Sequence, residues 1–174
     1  IPERLLRESE AIAVLPDVVK AGLIFGGRGG KGLLAVRGAD GKPLPNTKVE
    51  VWHANTKGFY SHFDPTGEQK AFNMRRTIIT DAQGRYKFQS IVPQGYGCPP
   101  DGPTQALLNQ LGRHGNRPAH IHFFVTADAH RKLTTQINID GDEYLWDDFA
   151  FASREGLVPA ITRITAADQI ETKG

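Results

Sequence analysis

The sequence predicts a mainly β protein, an antiparallel β-sandwich with long loops and little helix. Three observations carry that reading. Short segments of alternating apolar and polar residues recur from residue 33 onward, the period-2 pattern of half-buried strands. Asp-Gly, Gly and Pro turn signals separate them, and with 19 Gly and 11 Pro the chain has few stretches free of helix breakers. No helical period intervenes between the strands, which argues against a parallel α/β sheet with crossover helices.

Residues 1–24 give a weak helical signal. Leu5, Leu6, Ile12 and Val14 fit a helical period poorly, and Pro16 would stop a helix. GLIFGGRGGKG follows, superficially like a phosphate-binding loop. Phe25 stands where that loop needs Gly, and Gly32 follows Lys31 where Ser or Thr should bind magnesium. The stretch reads as a flexible connector. Residues 1–32 are therefore expected to be an N-terminal segment and connector, and residues 33–174 a single β-sandwich domain.

Within that domain LLAVRG reads as a strand and ADGKPLP as a turn. KVEVWHA is a strand alternating Val49 and Val51 with Glu50 and Trp52. Arg75 to Ile91 forms two strands joined at Asp81–Gly84, and HIHFFVTA and KLTTQINI are two more. Residues 93–119 and 140–160 interrupt the pattern. The first holds a short helix at Thr104–Leu111 that Thr104 could cap. Both stretches are too long for plain connections, and their Tyr, His, Arg, Trp and Phe content is wrong for disorder. They read as active-site loops, walls of a site held on the sandwich.

The net charge is +2 and no dense Lys/Arg run occurs, so nucleic-acid and membrane-surface partners have little support. The single cysteine, Cys98, excludes an internal disulfide framework and fits a reducing, cytoplasmic compartment. No apolar run approaches the ~18 residues of a membrane span, and no signal peptide is recognised. The chain starts at Ile1 rather than Met and is expected to be part of a longer product.

RPAHIHFF carries the chemistry. Strand alternation puts His120 and His122 on one face and Ile121 on the other. Two imidazoles so placed are either neighbours in a polar patch or two ligands of one metal. The pair does not name the metal. Zinc would add His53 or Cys98, an Fe(II) triad would add a carboxylate, and Fe(III) could take phenolate oxygen. Of the four tyrosines, Tyr86 reads as core or edge packing and Tyr144 as a loop anchor. Tyr60 in KGFYSHFD and Tyr96 in PQGYGCPP lie in Gly-bearing turns that can aim a side chain into a pocket. Trp52 and Trp146 read as packing residues, and Cys98 as a buried structural thiol.

At this point several segments acquire a family likeness. VEVWHANTKGFYSHFD, RRTIITDAQGRYKF, GYGCPPDGPTQALLNQLGRHGNRPAHIHFFV, KLTTQINIDGDEYLWDDFAFA and REGL resemble, in order and spacing, the intradiol ring-cleaving dioxygenases. The resemblance runs from about Val36 to Ile164. It implies a β-sandwich core with one non-haem Fe(III) per chain, held by Tyr60, Tyr96, His120 and His122. It also implies catalytic roles for Tyr96, Arg117 and Gln136, and a substrate pocket walled by Arg117, Phe149 and Ala150. The reaction implied is the cleavage of catechol or a substituted catechol by O2 to cis,cis-muconate, as in aromatic catabolism. Tyr96 would act as ligand and internal base, and no reductant or organic cofactor is needed. The likeness of the GYGCPP loop to the family implies unsubstituted catechol rather than protocatechuate or hydroxyquinol.

The family's catechol-cleaving members form homodimers through a helical N-terminal domain that residues 1–32 do not resemble. After ITRI the C-terminal residues depart from the family's final strand. Two other readings stand beside this one. GKPLPNTKVEVWHA with TDAQGRYKF also resembles non-catalytic, prealbumin-like sandwich modules that bind proteins or carbohydrates, and a zinc hydrolase could use the same histidine pair.

Overall fold

The computed structural model describes residues 23–26, 29–38 and 40–163; the expectations for residues 1–22 and for the tail beyond residue 163 lie outside them. Two four-stranded sheets face each other. The first runs in the order β10 (Ile161–Arg163), β1 (Leu23–Gly26), β2 (Gly29–Ala35), β5 (Arg85–Ser90). The second runs β4 (Arg75–Ile79), β3 (Lys48–His53), β8 (His120–Thr126), β9 (Leu133–Asn138). A two-stranded ribbon pairs β6 (Tyr96–Gly97) with β7 (Asn116–Arg117) outside both sheets. The mainly β sandwich predicted from alternation is thus observed.

The core lies between the sheets. Val49 and Val51 of β3, Ile121, Phe123 and Val125 of β8, Ile137 of β9 and Tyr86 of β5 are buried in one cluster with Val36. Phe123 is its centre, edge-on to Tyr86 at 6.4 Å and to Phe88 at 6.3 Å between ring centroids. The burial of Tyr86 matches its reading as a core residue. β4 and β5 are joined at Asp81–Gly84 as expected, yet the chain passes from one sheet to the other between them. Asp81 Oδ1 holds that corner by accepting the N–H groups of Gln83 and Arg85. Gly84 sits at φ +70°, where a Cβ would meet Val36 O at 2.5 Å.

Three expectations need correction. The glycine-rich stretch read as a flexible connector contributes β1 and most of β2. Glycine costs entropy in a strand but keeps both backbone hydrogen-bonding groups, and the free edge of β5 pairs with β2 from Gly30↔Ser90 to Ala35↔Arg85. The sandwich is not wholly antiparallel, because β1 runs parallel to β10. The short helix, α1, spans Pro103–Gln110, with Gly102 at its N-cap and no side-chain cap. Pro103 fits the first position because its fixed φ suits the helix and its missing N–H would have had no partner, so Thr104 falls inside the first turn and caps nothing. Among the described residues no helix is long and apolar enough to cross a membrane.

The face of the second sheet away from the core carries the polar residues. Across the strands, Trp52 pairs with His122 and His122 with Gln136, while His120 pairs with Asn138. Directly opposed residues share a face, so all five side chains stand together there. Gln136 and Asn138 are nonetheless buried, because the face is roofed by the long loops. Replacing Phe123 with Ala should lower unfolding free energy by about 3–5 kcal/mol, measurable as a lower urea midpoint with an unchanged slope.

Candidate metal centre

Three local devices deliver the four candidate ligands and Arg117. His120 and His122 come from the first turn of alternation in β8. Tyr96 and Arg117 are cross-strand partners in the β6–β7 ribbon. Tyr60 lies in the loop after β3, where Asn55 Oδ1 accepts the N–H groups of Lys57 and Phe59. Gly58 at φ +82° allows that loop to press on the other tyrosine's segment, since a Cβ there would lie 2.6 Å from Gly95 O. The two tyrosine-bearing segments therefore meet backbone to backbone.

The polar tips converge. His120 Nε2 is 3.0 Å from His122 Nε2, and His122 Nε2 is 3.1 Å from Tyr60 Oη. The Tyr60 and Tyr96 rings meet edge-on at 5.3 Å, and the Tyr96 ring lies 5.5 Å from that of His120. Arg117 Nη1 approaches His120 Nε2 at 3.2 Å and Tyr96 Oη at 3.4 Å. Arg117 also donates from Nη2 to Gln136 Oε1 at 3.0 Å. The structure thus gathers Tyr60, Tyr96, Arg117, His120, His122 and Gln136 in one cluster.

The protonation pattern points inward. His120 Nδ1 lies 2.6 Å from Pro118 O; a carbonyl only accepts, so Nδ1 carries the hydrogen and the neutral ring turns the Nε2 lone pair to the centre. Burial, with Arg117 nearby, pulls the His120 pKa down to about 4. Burial, then His120 and Arg117, pulls that of His122 down to about 3. Both imidazoles are neutral and free to act as ligands. Trp52 stacks on the His122 ring at 4.8 Å and 11°, fixing its plane. Burial and the neighbouring Tyr96 push the Tyr60 phenol well above its ordinary range, so without a cation in the centre it stays protonated.

The donor set fits a hard trivalent ion better than zinc. A metal with bonds of about 2.1 Å separates adjacent donors by about 3 Å, the spacing of the His120, His122 and Tyr60 tips. Among the described residues no three His, Cys, Asp or Glu side chains gather to hold a metal; a metal held by the histidine pair would draw its further donors from the phenol oxygens. His53, considered as a zinc ligand, is occupied elsewhere, with Nδ1 2.7 Å from Ala54 O and Nε2 2.6 Å from Ser90 Oγ. Cys98 is half-buried rather than buried, flanked by the exposed Gly97, Pro99 and Pro100. Trp146 is 65% exposed, so it does not pack as expected; Trp52 does.

A cavity of about 600 Å³ opens beside the cluster, walled by Tyr96, Arg117, Ala119 and residues 139–144. Phe149 and Ala150 lie outside its wall. Phe149 N donates to Asn116 O and Phe149 O accepts from Arg113 Nη2, so the pair sits against the segment that leads into β7. The sequence reading missed Asp148, which is buried and grips Arg117 from the side opposite the histidines. Its signal was available in principle: a buried arginine needs a counter-charge, and Asp followed by a free N–H two residues on is an Asx turn.

A family model described as "Dioxygenase" matches residues 30–173, extending past both ends of the stretch matched by motif and over the C-terminal residues that motif reading set apart. Over 120 residues the chain is 79% identical to a catechol 1,2-dioxygenase of Acinetobacter baylyi, covering 69% of this chain and 39% of that protein. It is 64% identical over 127 residues to catechol 1,2-dioxygenase 1 of Acinetobacter lwoffii, covering 73% of this chain and 41% of the relative. The solved structure of catechol 1,2-dioxygenase from Acinetobacter sp. ADP1, inhibited by bound mercury, superposes with a TM-score of 0.71 at 70% identity, covering 77% of this chain and 43% of that one. The chain thus spans about 40% of the length of the curated relatives it matches.

The buried histidines have a measurable cost in acid. Burial lowers the His53 pKa from 6.5, so the unfolded chain binds its proton first. The stability contributed by neutral His53 should be complete above about pH 6.5 and decline as the pH falls below it. In thermal melts of the metal-free chain from pH 8 to 5, His53→Gln should flatten this decline.

Proposed function

The chain belongs to the intradiol ring-cleaving dioxygenases, and from that membership we propose that it cleaves catechol with O2 between the two hydroxylated carbons, giving cis,cis-muconate. Both oxygen atoms enter the product, so the reaction needs no external reductant. The observation that carries the reading is the convergence of His120 Nε2, His122 Nε2 and Tyr60 Oη at about 3 Å, with Tyr96 and Arg117 beside them. We assign Tyr60, Tyr96, His120 and His122 as the residues that would hold Fe(III). Bound there, ferric iron would supply the Lewis acidity that favours phenolate ligands and draws electron density from a catecholate ring.

The remaining work falls to the chain. Catechol enters with two protons; Tyr96 Oη, held as a phenolate, would take one of them as a base, and solvent-derived hydroxide would take the other. Arg117 Nη1 would face the oxygen on which negative charge grows as the ring loses aromaticity, a preorganised electrostatic role. Gln136, which accepts from Arg117 through Oε1 and donates through Nε2 to Asn138 Oδ1 at 2.7 Å, would take up one guanidinium hydrogen and border the substrate. Phe149 and Ala150 lie outside the cavity described above; their place on the substrate wall rests on the family resemblance and on the Ala150 N–H that Asp148, the partner of Arg117, accepts. The substrate favoured is unsubstituted catechol, and Cys98 as the single cysteine is consistent with a reducing, cytoplasmic setting.

The test is optical. Tyrosinate bound to ferric iron gives a visible charge-transfer band, so iron-loaded protein should be red-brown. Anaerobic catechol should move the band to longer wavelength, and O2 should restore it as muconate accumulates. A colourless zinc protein with hydrolytic activity would replace this reading, as would a protein that takes up no iron and binds a carbohydrate or protein. In the active protein Arg117→Gln should lower kcat by about 10²–10³, read by oxygen uptake under saturating catechol.

A further inference from the structure

Asp148 belongs to neither the proposed ligand set nor the expected catalytic residues, yet its carboxylate is the most enclosed acid near the centre. Its side chain is 1% exposed. The neighbouring Asp140, Glu143 and Asp147 are exposed, so burial rather than charge sets Asp148 apart. Oδ1 accepts Arg117 Nε–H and the Ala150 N–H, each at 3.1 Å. Oδ2 accepts Arg117 Nη2–H at 3.1 Å and the Ala152 N–H at 3.2 Å. Every contact pairs one oxygen with one guanidinium nitrogen and one backbone amide.

We propose that Asp148 is a positioning residue that aims Arg117. It clamps one edge of the guanidinium so that Nη1 alone faces the reacting centre, and it ties that aim to the 148–152 turn that carries Phe149 and Ala150. The inference rests on the reading of the site as an intradiol centre. A guanidinium has five N–H donors in a fixed plane, and all five are placed here. Nε and one Nη2 hydrogen go to Asp148, the other Nη2 hydrogen goes to Gln136 Oε1, and the two Nη1 hydrogens point at His120 Nε2 and Tyr96 Oη.

One acceptor on Nη1 is His120 Nε2, whose single lone pair a metal ion would take. With that lone pair engaged, the clamp leaves Nη1 with one unfilled donor directed at the space beside it, while Tyr96 Oη keeps a lone pair for the other. A substrate oxygen is then the acceptor that satisfies it. A neutral partner could not replace the carboxylate. Gln136 reaches Nη2 alone and leaves the plane free to turn about that contact, whereas the two parallel bonds to Asp148 fix it. The same carboxylate also anchors the turn, so a shift of the proposed substrate wall is a shift of the arginine.

The experiment uses the full chain and Asp148→Asn. In the metal-free chain, solvent exchange of the Arg117 Nε–H is followed by nitrogen-15 NMR, the resonance being assigned by its loss in Arg117→Lys. Asp148→Asn should speed that exchange by about tenfold or more while amide signals of β8 persist. In the iron-loaded chain it should lower kcat by about tenfold or more and change the anaerobic Kd for catechol by less than about threefold, and it should add less than about twofold in an Arg117→Gln background. Unchanged exchange, or equal losses in both backgrounds, would overturn the proposal. If Asp148→Asn does not fold, Asp148→Glu, which keeps the charge but displaces it, must show the same exchange and coupling. If the unaltered chain cleaves no catechol, the ring-cleavage reading fails, and the exchange measurement still decides whether Asp148 clamps Arg117.

Discussion

The period-2 alternation of β8 joins the core to the site. Ile121, Phe123 and Val125 fill the space between the sheets, while His120 and His122 stand on the opposite face among Trp52, Gln136 and Asn138. A slip of one residue would put imidazoles into the core and phenylalanine under the loops. Pairing by β3 on one side and β9 on the other holds the register along the whole strand. The burial of three large apolar side chains thereby fixes the direction of two ligand-bearing ones. The site inherits its precision from the hydrophobic core and spends little flexibility of its own.

Above that face the structure assembles polar groups that water would otherwise solvate. A buried guanidinium and carboxylate cost several kcal/mol each to desolvate, and here they are matched bond for bond. Burial works against the charge on Arg117, yet hydrogen bonds to Asp148 and Tyr96 hold its pKa above the ordinary value. Burial likewise works against the Asp148 carboxylate, and Arg117 together with the Ala150 and Ala152 amides more than reverses it. The network ends at Asn138, whose Oδ1 is used and whose Nδ2 has no partner among the described residues. Such an arrangement is poor economy for stability alone; its use is a set of dipoles already oriented before a substrate arrives.

Much of this was readable in the residues. Alternation located β3, β4, β5, β8 and β9 to within a residue or two, because each has one face on the core. The histidine pair declared itself for the same reason. What alternation could not show was pairing between distant segments. Leu23–Gly26 and Gly29–Ala35 lack a repeating apolar pattern in sequence; the second pairs with the edge of β5, and the first pairs in turn with β2 and β10. Thr104 was a plausible cap by propensity, but Pro103 decided the helix start. Tyr60 and Tyr96 could be marked only as aimable residues in glycine turns; that they point at one place depends on the Gly58–Gly95 approach between separate loops. Asp148 looked like one more acid in DGDEYLWDD until its burial was seen. The family resemblance supplied the tyrosines and Arg117, and it was silent about the carboxylate behind them.

The stack of Trp52 on His122 has an optical consequence. An indole at 4.8 Å from a ring proposed to bind iron lies within contact range for electron-transfer quenching and overlaps any tyrosinate absorption for energy transfer. Trp146, 65% exposed on the loop, has no such neighbour in its own segment. The protein's two indoles therefore form a ratiometric pair. The blue, sheltered emission of Trp52 would darken as the centre fills, while the red, solvated emission of Trp146 serves as its reference, so that occupancy could be followed in the chain without any added dye.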